Sequence, residues 1–324
     1  MTVMIEKSKK IFILTLGCPR NLIDSEIMEG LFKKEGFEIV INAESAGIAV
    51  VNTCGFIQDA KKESIDMILE LAELKKKGKL KELIVTGCLS QRYPEELLKD
   101  IKEIDAVFGS ADFNKIPAYL KQNKNKIDAK MMEVSKEPNF LYDHTNERVF
   151  LTPKHYAYLK IQEGCLNNCS YCVIPKIRGR LRSREMSSIL LEAKKIKEER
   201  GAKELIIIGQ DITAYGIDRH EKNALAKLVE NLSPIAGDGW LRLLYTHPAH
   251  FTPELIRVIS SFDNVCKYVD IPIQHINDRI LKEMNRHVTR SGIEALISDI
   301  RREIKESVIR TSIILTSANS PIVS

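Results

Sequence analysis

Three short apolar segments in the first half of the chain each lead into a cysteine, and this recurrence limits the fold more than any other feature. The segments are IFILTL, GIAVVN and LIVT, and the cysteines are Cys18, Cys54 and Cys88. Segments with helical periodicity separate them, which is the pattern of a parallel-sheet α/β domain. Because the carboxyl ends of parallel strands share one edge of a sheet, we expect the three thiols to converge there.

The second half of the chain repeats the alternation of strands and helices. Its five predicted strands are 156–162, 204–209, 240–245, 266–273 and 308–315. These are successive βα units, as in a full or partial barrel. Between the halves, the polar stretch 122–150 loses periodicity and is interpreted as a linker. The sequence therefore predicts an N-terminal domain over 1–121, with 106–108 as its last strand, and a barrel-like domain over 151–324.

The composition of the 324 residues suits globular domains with proper cores, since 44% are hydrophobic and 29% charged. The longest apolar run near the start, 11–16, is too short for a signal sequence or a membrane span, which favours a cytoplasmic protein. In a reducing compartment, seven cysteines are expected to bind metal or react rather than form disulfides. The net charge of +5 permits an anionic or ribosome-associated partner without requiring one.

The densest group of cysteines lies in EGCLNNCSYCVIP, where Cys165, Cys169 and Cys172 have CxxxCxxC spacing. A structural zinc site takes four ligands, and the nearest histidine, His155, stands ten residues before Cys165. An iron–sulfur cubane held by three thiolates leaves one iron open to an outside molecule. Zinc stays an alternative, but the ligand count and the position after the first barrel strand favour a reactive iron–sulfur site. The seventh cysteine, Cys266, is expected in the core.

Five segments together resemble the radical S-adenosylmethionine methylthiotransferases. They are LGCPRNLIDSE (16–26), VNTCGFIQDAKKES (51–64), VTGCLSQRYPEEL (85–97), YLKIQEGCLNNCSYCVIPKIRGRLRSR (158–184) and DIPIQHINDRILKEMNR (270–286). The CxxxCxxC motif alone would indicate only the radical S-adenosylmethionine superfamily, whereas its combination with three N-terminal cysteines is specific. The wording CPRN and CGFI is most similar to the members that modify a ribosomal protein.

The resemblance implies two 4Fe-4S clusters and S-adenosylmethionine as cofactors. Cys165, Cys169 and Cys172 would hold the cluster whose open iron binds S-adenosylmethionine, and Cys18, Cys54 and Cys88 would hold an auxiliary cluster that carries sulfur. Four further residues would lie near the bound S-adenosylmethionine: Tyr171, Gly209, Gln210 and Gln274. Tyr171 can equally be a packed loop residue, and polar groups at strand ends are common.

The activity implied is a transferase that adds a methylthio group to the β-carbon of an aspartate in the twelfth small-subunit ribosomal protein. Its partners would be that protein or the assembled ribosome, and an electron-donor protein, with no membrane. One alternative is a tRNA adenosine methylthiotransferase of the MiaB type, which uses the same six cysteines. A non-enzymatic iron–sulfur or zinc protein is another. The basic run Lys176, Arg178, Arg180, Arg182 and Arg184 is interpreted either as a phosphate contact or as a solvated loop.

The last residues depart from the pattern of the family. After the fifth barrel strand, members usually continue into a glycine-rich turn, a sixth strand and a small β-barrel (TRAM) domain, whereas this sequence reads TSANSPIVS. We therefore expect a partial barrel without its last strand and without the TRAM domain. The strand 308–315 would then be an exposed apolar edge, and cofactor binding and methylthiolation would be impaired. The alternative is a natural variant whose missing parts come from another chain.

Overall fold

The structure is a computed structural model that describes residues 7–122 and 130–315. The chain divides into two compact units. Unit 1 is formed by the described residues of Met1–Phe140 together with Thr145–Leu151 and Lys176–Arg178. Unit 2 is formed by Leu141–His144, Thr152–Pro175 and the described residues from Gly179 onward.

Unit 1 contains a sheet in which every pair of neighbouring strands is parallel, in the order β2-β1-β3-β4-β5-β6. The strands are β1 (Lys10–Thr15), β2 (Glu38–Val40), β3 (Ile48–Thr53), β4 (Glu82–Gly87), β5 (Ala106–Phe108) and β6 (Met131–Glu133). The three cysteine-linked segments form β1, β3 and β4, as predicted. Strand β3 is buried along its whole length, in keeping with an apolar strand inside a parallel sheet covered on both faces.

Five helices belong wholly to unit 1: α1 (Pro19–Lys34), α2 (Gln58–Lys76), α3 (Cys88–Arg92), α4 (Pro94–Asp100) and α5 (Ile116–Gln122). Helix α1 has a proline at its first position, where the missing N–H costs nothing. Helix α2 buries Ile68 and Leu71 against the sheet, next to Leu83 and Val85. Each such side chain stabilises the fold by about 1.5–3 kcal/mol.

The stretch interpreted as a linker, 122–150, contributes to the sheet of unit 1. Residues 123–129 lie outside the described part, but strand β6 pairs with β5. The expectation that β5 is the last strand of the sheet was therefore wrong. Further along, the guanidinium of Arg148 donates to the carboxylate of Glu26 over 2.5 Å, and Val149 N–H donates to the Glu26 carbonyl over 3.0 Å. Since the side chains of Arg148 and Glu26 are only 4% and 1% exposed, this segment is fixed to helix α1.

Unit 2 contains two short parallel arrays and one antiparallel pair. The parallel strands are β7 (Tyr156–Lys160), β10 (Glu204–Ile208), β11 (Trp240–Leu243), β12 (Tyr268–Asp270) and β13 (Val308–Arg310), in the orders β11-β10-β7 and β12-β13. A parallel bridge between Leu241 and Val265 extends β11 toward the segment before β12. Strands β8 (Gln162–Glu163) and β9 (Arg182–Ser183) form the antiparallel pair. All five predicted barrel strands are present, each shorter than predicted.

The helices of unit 2 alternate with its parallel strands. They are α7 (Met186–Arg200), α8 (Ala224–Ala236), α9 (Pro253–Ser261), α10 (Asp278–Glu283) and α11 (Arg290–Glu303). The short helix α6 (Ile174–Arg178) is shared, because its last three residues belong to unit 1. Beyond β13, Leu315 is exposed, and residues 316–324 lie outside the described part. Over 7–122 and 130–315, no helix is both long and apolar enough to cross a membrane.

Gly30 gives the first test of this fold. A Cβ at Gly30, within α1, would collide with the backbone carbonyl of Glu147. We therefore expect Gly30→Ala to lower the free energy of unfolding by about 1–3 kcal/mol, although alanine favours helices. The control is Gly292→Ala in α11, where the nearest atom of the described chain to the Cβ would be the Thr289 hydroxyl oxygen, at 3.3 Å. Denaturant unfolding of both variants is the measurement, and a Gly30→Ala variant as stable as Gly292→Ala would contradict this packing.

Glu29 provides a test by pH. Burial raises the pKa of Glu29 to about 7, with a further rise from Glu26, while Lys33 lowers it in part. The folded chain thus holds a proton that the unfolded chain has already lost, so the free energy of unfolding falls as pH rises from about 4.5 to 7. We expect Glu29→Gln to be more stable than the parent by about 1–3 kcal/mol at pH 8, with little difference near pH 4. Equal unfolding midpoints for the two proteins at pH 8 would show that Glu29 pays no such penalty.

Candidate metal centres

Cys18, Cys54 and Cys88 lie at the carboxyl ends of three neighbouring strands of unit 1. Cys18 follows β1 and precedes α1, Cys54 comes directly after β3, and Cys88 begins α3 directly after β4. The order β1-β3-β4 within the sheet puts these ends side by side. The convergence expected from the sequence is therefore present, and we call the three residues the N-terminal triad.

Glycines next to the N-terminal triad allow its loops to approach closely. Gly17 has φ +89°, and a Cβ there would lie 2.7 Å from Cys54 Cβ and 3.0 Å from its Sγ. A Cβ at Gly55 would lie 2.8 Å from the carbonyl carbon of Cys88. Any larger residue at either position would push the cysteine-bearing loops apart.

Asn21 joins these loops by hydrogen bonds. Its side-chain amide donates to the carbonyls of Leu16 and Thr53, each over 2.9 Å, and its Oδ1 lies 3.6 Å from Cys88 Sγ. In return, the Asn52 side chain donates to the Asn21 carbonyl over 2.9 Å. Because Asn21 is fully buried, these bonds are shielded from water and hold the three strand ends in one arrangement.

Arg178 is the charged group beside the N-terminal triad. Its guanidinium donates to Asp24 Oδ2 over 2.6 Å, to the side-chain oxygen of Asn21, and to Cys88 Sγ over 3.3 Å. The residue as a whole is 3% exposed. Arg178 was interpreted as part of a phosphate-binding or solvated basic run, and for this residue both interpretations were wrong. Arg184 of the same run is also buried, and it pairs with Glu192 over 2.6 Å.

The three thiols differ in their readiness to ionise. Burial raises the pKa of Cys18, but the guanidinium groups of Arg20 and Arg178 outweigh it and lower the value to about 7. Burial raises the pKa of Cys88 to about 11 and also raises that of Cys54. The thiolate is the form that binds metal. Of the three thiols, Cys18 therefore ionises most readily near neutral pH, whereas Cys54 and Cys88 hold their protons more tightly.

Cys165, Cys169 and Cys172 lie in the loop of unit 2 that follows β8, and we call them the loop triad. The backbone N–H of Cys172 donates to the Cys169 carbonyl over 3.0 Å. The backbone N–H of Asn167 points to Cys165 Sγ at 3.4 Å, and its side-chain amide lies 3.6 Å from the same sulfur. Burial raises the pKa of Cys165 to about 11.

Residues after α10 hold the loop triad in place. Ser170 N–H donates to the Met284 carbonyl over 3.0 Å, and the Asn285 amide donates to the Asn168 carbonyl over 2.8 Å. The buried guanidinium of Arg286 donates to the Tyr171 hydroxyl over 3.2 Å and lies 4.0 Å from Cys169 Sγ. Burial raises the pKa of Tyr171, so its hydroxyl stays protonated at neutral pH.

The other predicted cofactor residues occupy strand ends of unit 2. Gly209 and Gln210 follow β10, where a Cβ on Gly209 would lie 2.8 Å from the Gln162 side chain. The Gln210 amide donates to Glu163, while its buried Oε1 has no hydrogen-bond partner among the described residues. Gln274 has φ +69° and accepts a backbone hydrogen bond from Ile314 over 2.8 Å. Their part in cofactor binding stays a prediction. Cys266, expected in the core, is only partly buried.

A cluster of Asp211, His247 and His250 also lies at the strand ends of unit 2, and the sequence analysis missed it. Their potential ligand atoms lie within 4.8 Å of one another. Asp211 Oδ2 accepts from the Asn167 amide and bonds His250 Nδ1, each over 2.8 Å, which ties the cluster to the loop triad. The signal was the pair of histidines in THPAH after β11.

The tautomer of His247 limits what this cluster can bind. Its Nδ1 accepts the Ala249 N–H over 3.1 Å, so the ring proton sits on Nε2. This Nε2 is buried and has no hydrogen-bond partner within 7–122 and 130–315. Burial, followed by the charge of Arg286, lowers the pKa of His247 to about 3. The ring is therefore a neutral donor near neutral pH and is better suited to an acceptor atom than to a metal ion.

In kind and number, the thiols of the two triads are the ligands that iron–sulfur clusters take. Each triad offers three thiols, which are the ligands of 4Fe-4S clusters, and three thiols leave one iron free to bind another molecule. Around the N-terminal triad, the buried guanidinium of Arg178 and the side-chain amide of Asn21 supply a polar, positively charged lining for an anionic thiolate cluster. A structural zinc site would call for a fourth protein ligand at each centre.

Two known protein families match separate parts of the chain. Residues 10–109 match the model of the uncharacterized protein family UPF0004, and residues 159–318 match the radical SAM superfamily. The first match contains the N-terminal triad, and the second contains the loop triad.

Solved structures share the fold at low sequence identity. The radical S-adenosylmethionine methyltransferase TsrM from Kitasatospora setae aligns with a TM-score of 0.67 and 13% identity, over 94% of this chain and 67% of its own. The cobalamin-dependent radical enzyme OxsB aligns with a TM-score of 0.63 and 10% identity, over 94% of this chain and 49% of its own. These likenesses show that the chain shares the α/β fold of these two enzymes.

Curated relatives are much more similar in sequence. The ribosomal protein uS12 methylthiotransferase RimO of Caldicellulosiruptor saccharolyticus is 49% identical over 306 residues, which cover 94% of this chain and 69% of the relative. The RimO protein of Clostridioides difficile is 47% identical over 311 residues, covering 94% and 68%. With this identity over nearly its whole length, the chain belongs to the RimO family of radical SAM methylthiotransferases.

Proposed function

We propose that the chain is a transferase that adds a methylthio group to ribosomal protein uS12, at the β-carbon of an aspartate. The observation that carries the proposal is the presence of two separate cysteine triads, one at three neighbouring strand ends and one in the loop after β8, in a chain that is 43–49% identical to RimO proteins. A tRNA-modifying relative would use the same cysteines, so the choice between substrates rests on the RimO identity. The partners proposed are uS12 or the ribosome and an electron-donor protein, in the cytoplasm.

The residues proposed to hold the two 4Fe-4S clusters are the N-terminal triad and the loop triad. When bound, the clusters and S-adenosylmethionine supply radical chemistry and sulfur transfer that side chains lack. The chain supplies binding and orientation. Tyr171, Gly209, Gln210 and Gln274 are proposed to contact S-adenosylmethionine.

Polar contacts in unit 2 fix the surroundings of the loop triad. Asn167 bonds both Cys165 and Asp211, so it sets the position of the loop against the end of β10. Among the described residues, neither the buried acceptor Oε1 of Gln210 nor the buried donor Nε2–H of His247 has a hydrogen-bond partner. A bound polar molecule that satisfied either group would remove the cost of leaving it unpaired, about 1–3 kcal/mol.

Iron content tests the two-centre assignment. Changing Cys165, Cys169 and Cys172 to alanine is expected to leave about four of about eight reconstituted irons and to abolish S-adenosylmethionine cleavage. Changing Cys18, Cys54 and Cys88 to alanine is expected to leave the other four and to keep cleavage. The measurements are iron and acid-labile sulfide per chain and 5′-deoxyadenosine by chromatography. Cys266→Ala is the control and should retain all the iron. Loss of all iron from a folded loop-triad variant would rule out independent centres.

Mass spectrometry of cells tests the substrate. In a strain lacking this gene, uS12 is expected to lack the methylthio group, and the parent gene should restore it, whereas a gene with Cys88→Ala should not. The tRNA of the same cells is digested and measured in parallel. Unmodified uS12 in every strain, together with a tRNA methylthio group that follows the gene, would replace the proposal with the tRNA-modifying alternative.

A further inference from the structure

Arg178 makes contacts that the sequence pattern gives no reason to expect. It belongs to unit 1, although the cysteines a few residues before it belong to unit 2. The preceding residue, Ile177, is 1% exposed, and its carbonyl accepts a hydrogen bond from the Ser110 hydroxyl. The backbone next to Arg178 is therefore anchored within unit 1, so the guanidinium position is set there.

The guanidinium of Arg178 donates hydrogen bonds both to a carboxylate and to a thiol. Nη1 donates to Asp24 Oδ2 over 2.6 Å, and Nη2 points to Cys88 Sγ at 3.3 Å and to the Asn21 oxygen. The side chains of Arg178 and Asp24 are each 4% exposed, so water does not screen this pair. Asp24 orients the fork of N–H groups while one of them is directed at sulfur.

Hydrogen bonds to cysteine sulfur and local net charge are two of the factors that set the reduction potential of an iron–sulfur cluster. A cation stabilises the more negative, reduced state. An N–H donated to a thiolate also withdraws charge from the sulfur. Both effects of Arg178 thus act in the same direction, toward easier reduction and firmer retention of a cluster at the N-terminal triad.

We propose that Arg178 is a positioning residue for the auxiliary cluster: it donates an N–H···S hydrogen bond to Cys88, raises the reduction potential of the cluster and slows its loss. This rests on the proposed function only in that the N-terminal triad binds a cluster. It assigns Arg178 a role that neither a phosphate contact nor a solvated loop would give it.

The experiment uses the full chain with Cys165, Cys169 and Cys172 changed to alanine, so that iron reports the N-terminal triad alone. In this background, Arg178→Met with Asp24→Asn removes the sulfur donor without leaving a buried charge unpaired. Arg178→Lys keeps the charge but loses the fork. Arg180→Gln is the matched control, since this arginine is exposed two residues away. The measurements are the midpoint potential by redox titration with electron paramagnetic resonance, and the rate of iron loss to a chelator.

For the double variant we expect a lower midpoint potential and iron loss about 10-fold faster, since a change in a residue that contacts a metal ligand costs about 10–100-fold in affinity. Arg178→Lys should lie between the double variant and the parent, and Arg180→Gln should match the parent. Circular dichroism of the metal-free chains checks folding. If the double variant does not fold, the midpoint potential and iron-loss rate of Arg178→Lys are compared with those of the parent instead.

Two outcomes overturn the proposal and are distinguishable. A folded double variant, or Arg178→Lys in its place, with the potential and iron-loss rate of the parent would show that Arg178 is only a packing residue, while leaving the proposed function intact. Absence of iron from the background chain itself, whatever residue stands at 178, would overturn both the auxiliary cluster and the role of Arg178.

Discussion

Parallel pairing of β1, β3 and β4 is the constraint on which the rest of unit 1 depends. The register places Thr15 opposite Asn52 and Thr53 opposite Gly87, so the three strands end at nearly the same level. Cysteines that are distant in sequence therefore lie at neighbouring strand ends. Parallel strands also require a crossover between each pair, and these crossovers are the helices that bury the sheet on both faces. The same geometry that forms the core gathers the thiols.

Buried ion pairs fix the positions of segments that lie outside the hydrophobic core. Three pairs of this kind show it. In unit 1 they are Arg148–Glu26 and Arg178–Asp24, and in unit 2 the pair is Arg184–Glu192. Such pairs add little net stability compared with apolar packing, but removing one partner leaves a buried charge at a cost of about 3–5 kcal/mol. They therefore favour one arrangement of each loop over its alternatives. Two of the five residues of the basic run, Arg178 and Arg184, therefore form buried ion pairs that hold the fold.

The sequence was sufficient for the elements that carry strong local signals. Long buried strands such as β3 and the spacing of the cysteines gave the fold class and both triads, because periodicity and ligand spacing are local. Strands β2 and β6 were missed, since each has three residues and none of them is fully buried. Arg178 was misread because its partner Asn21 is 157 residues away, and a basic run looks the same whether it is solvated or buried. His247 was missed because its significance lies in a buried Nε2 that no other described residue pairs with, and a sequence pattern does not display this.

The stretch of chain from the cysteine loop to the end of α6 contributes residues to both centres, and the anchoring of Arg178 decides whether the two can be studied separately. Residues 165–172 supply three thiols in unit 2, and Arg178 follows six residues after Cys172 in the sequence. If Arg178 were held only by the cysteine loop, removing the loop triad would also disturb the N-terminal triad. Instead, Ile177 is bonded by Ser110 and Arg178 by Asp24, all within unit 1. Because these contacts do not involve the loop cysteines, the alanine background should keep Arg178 at Cys88, so a change in the potential of that cluster can be assigned to residue 178 itself.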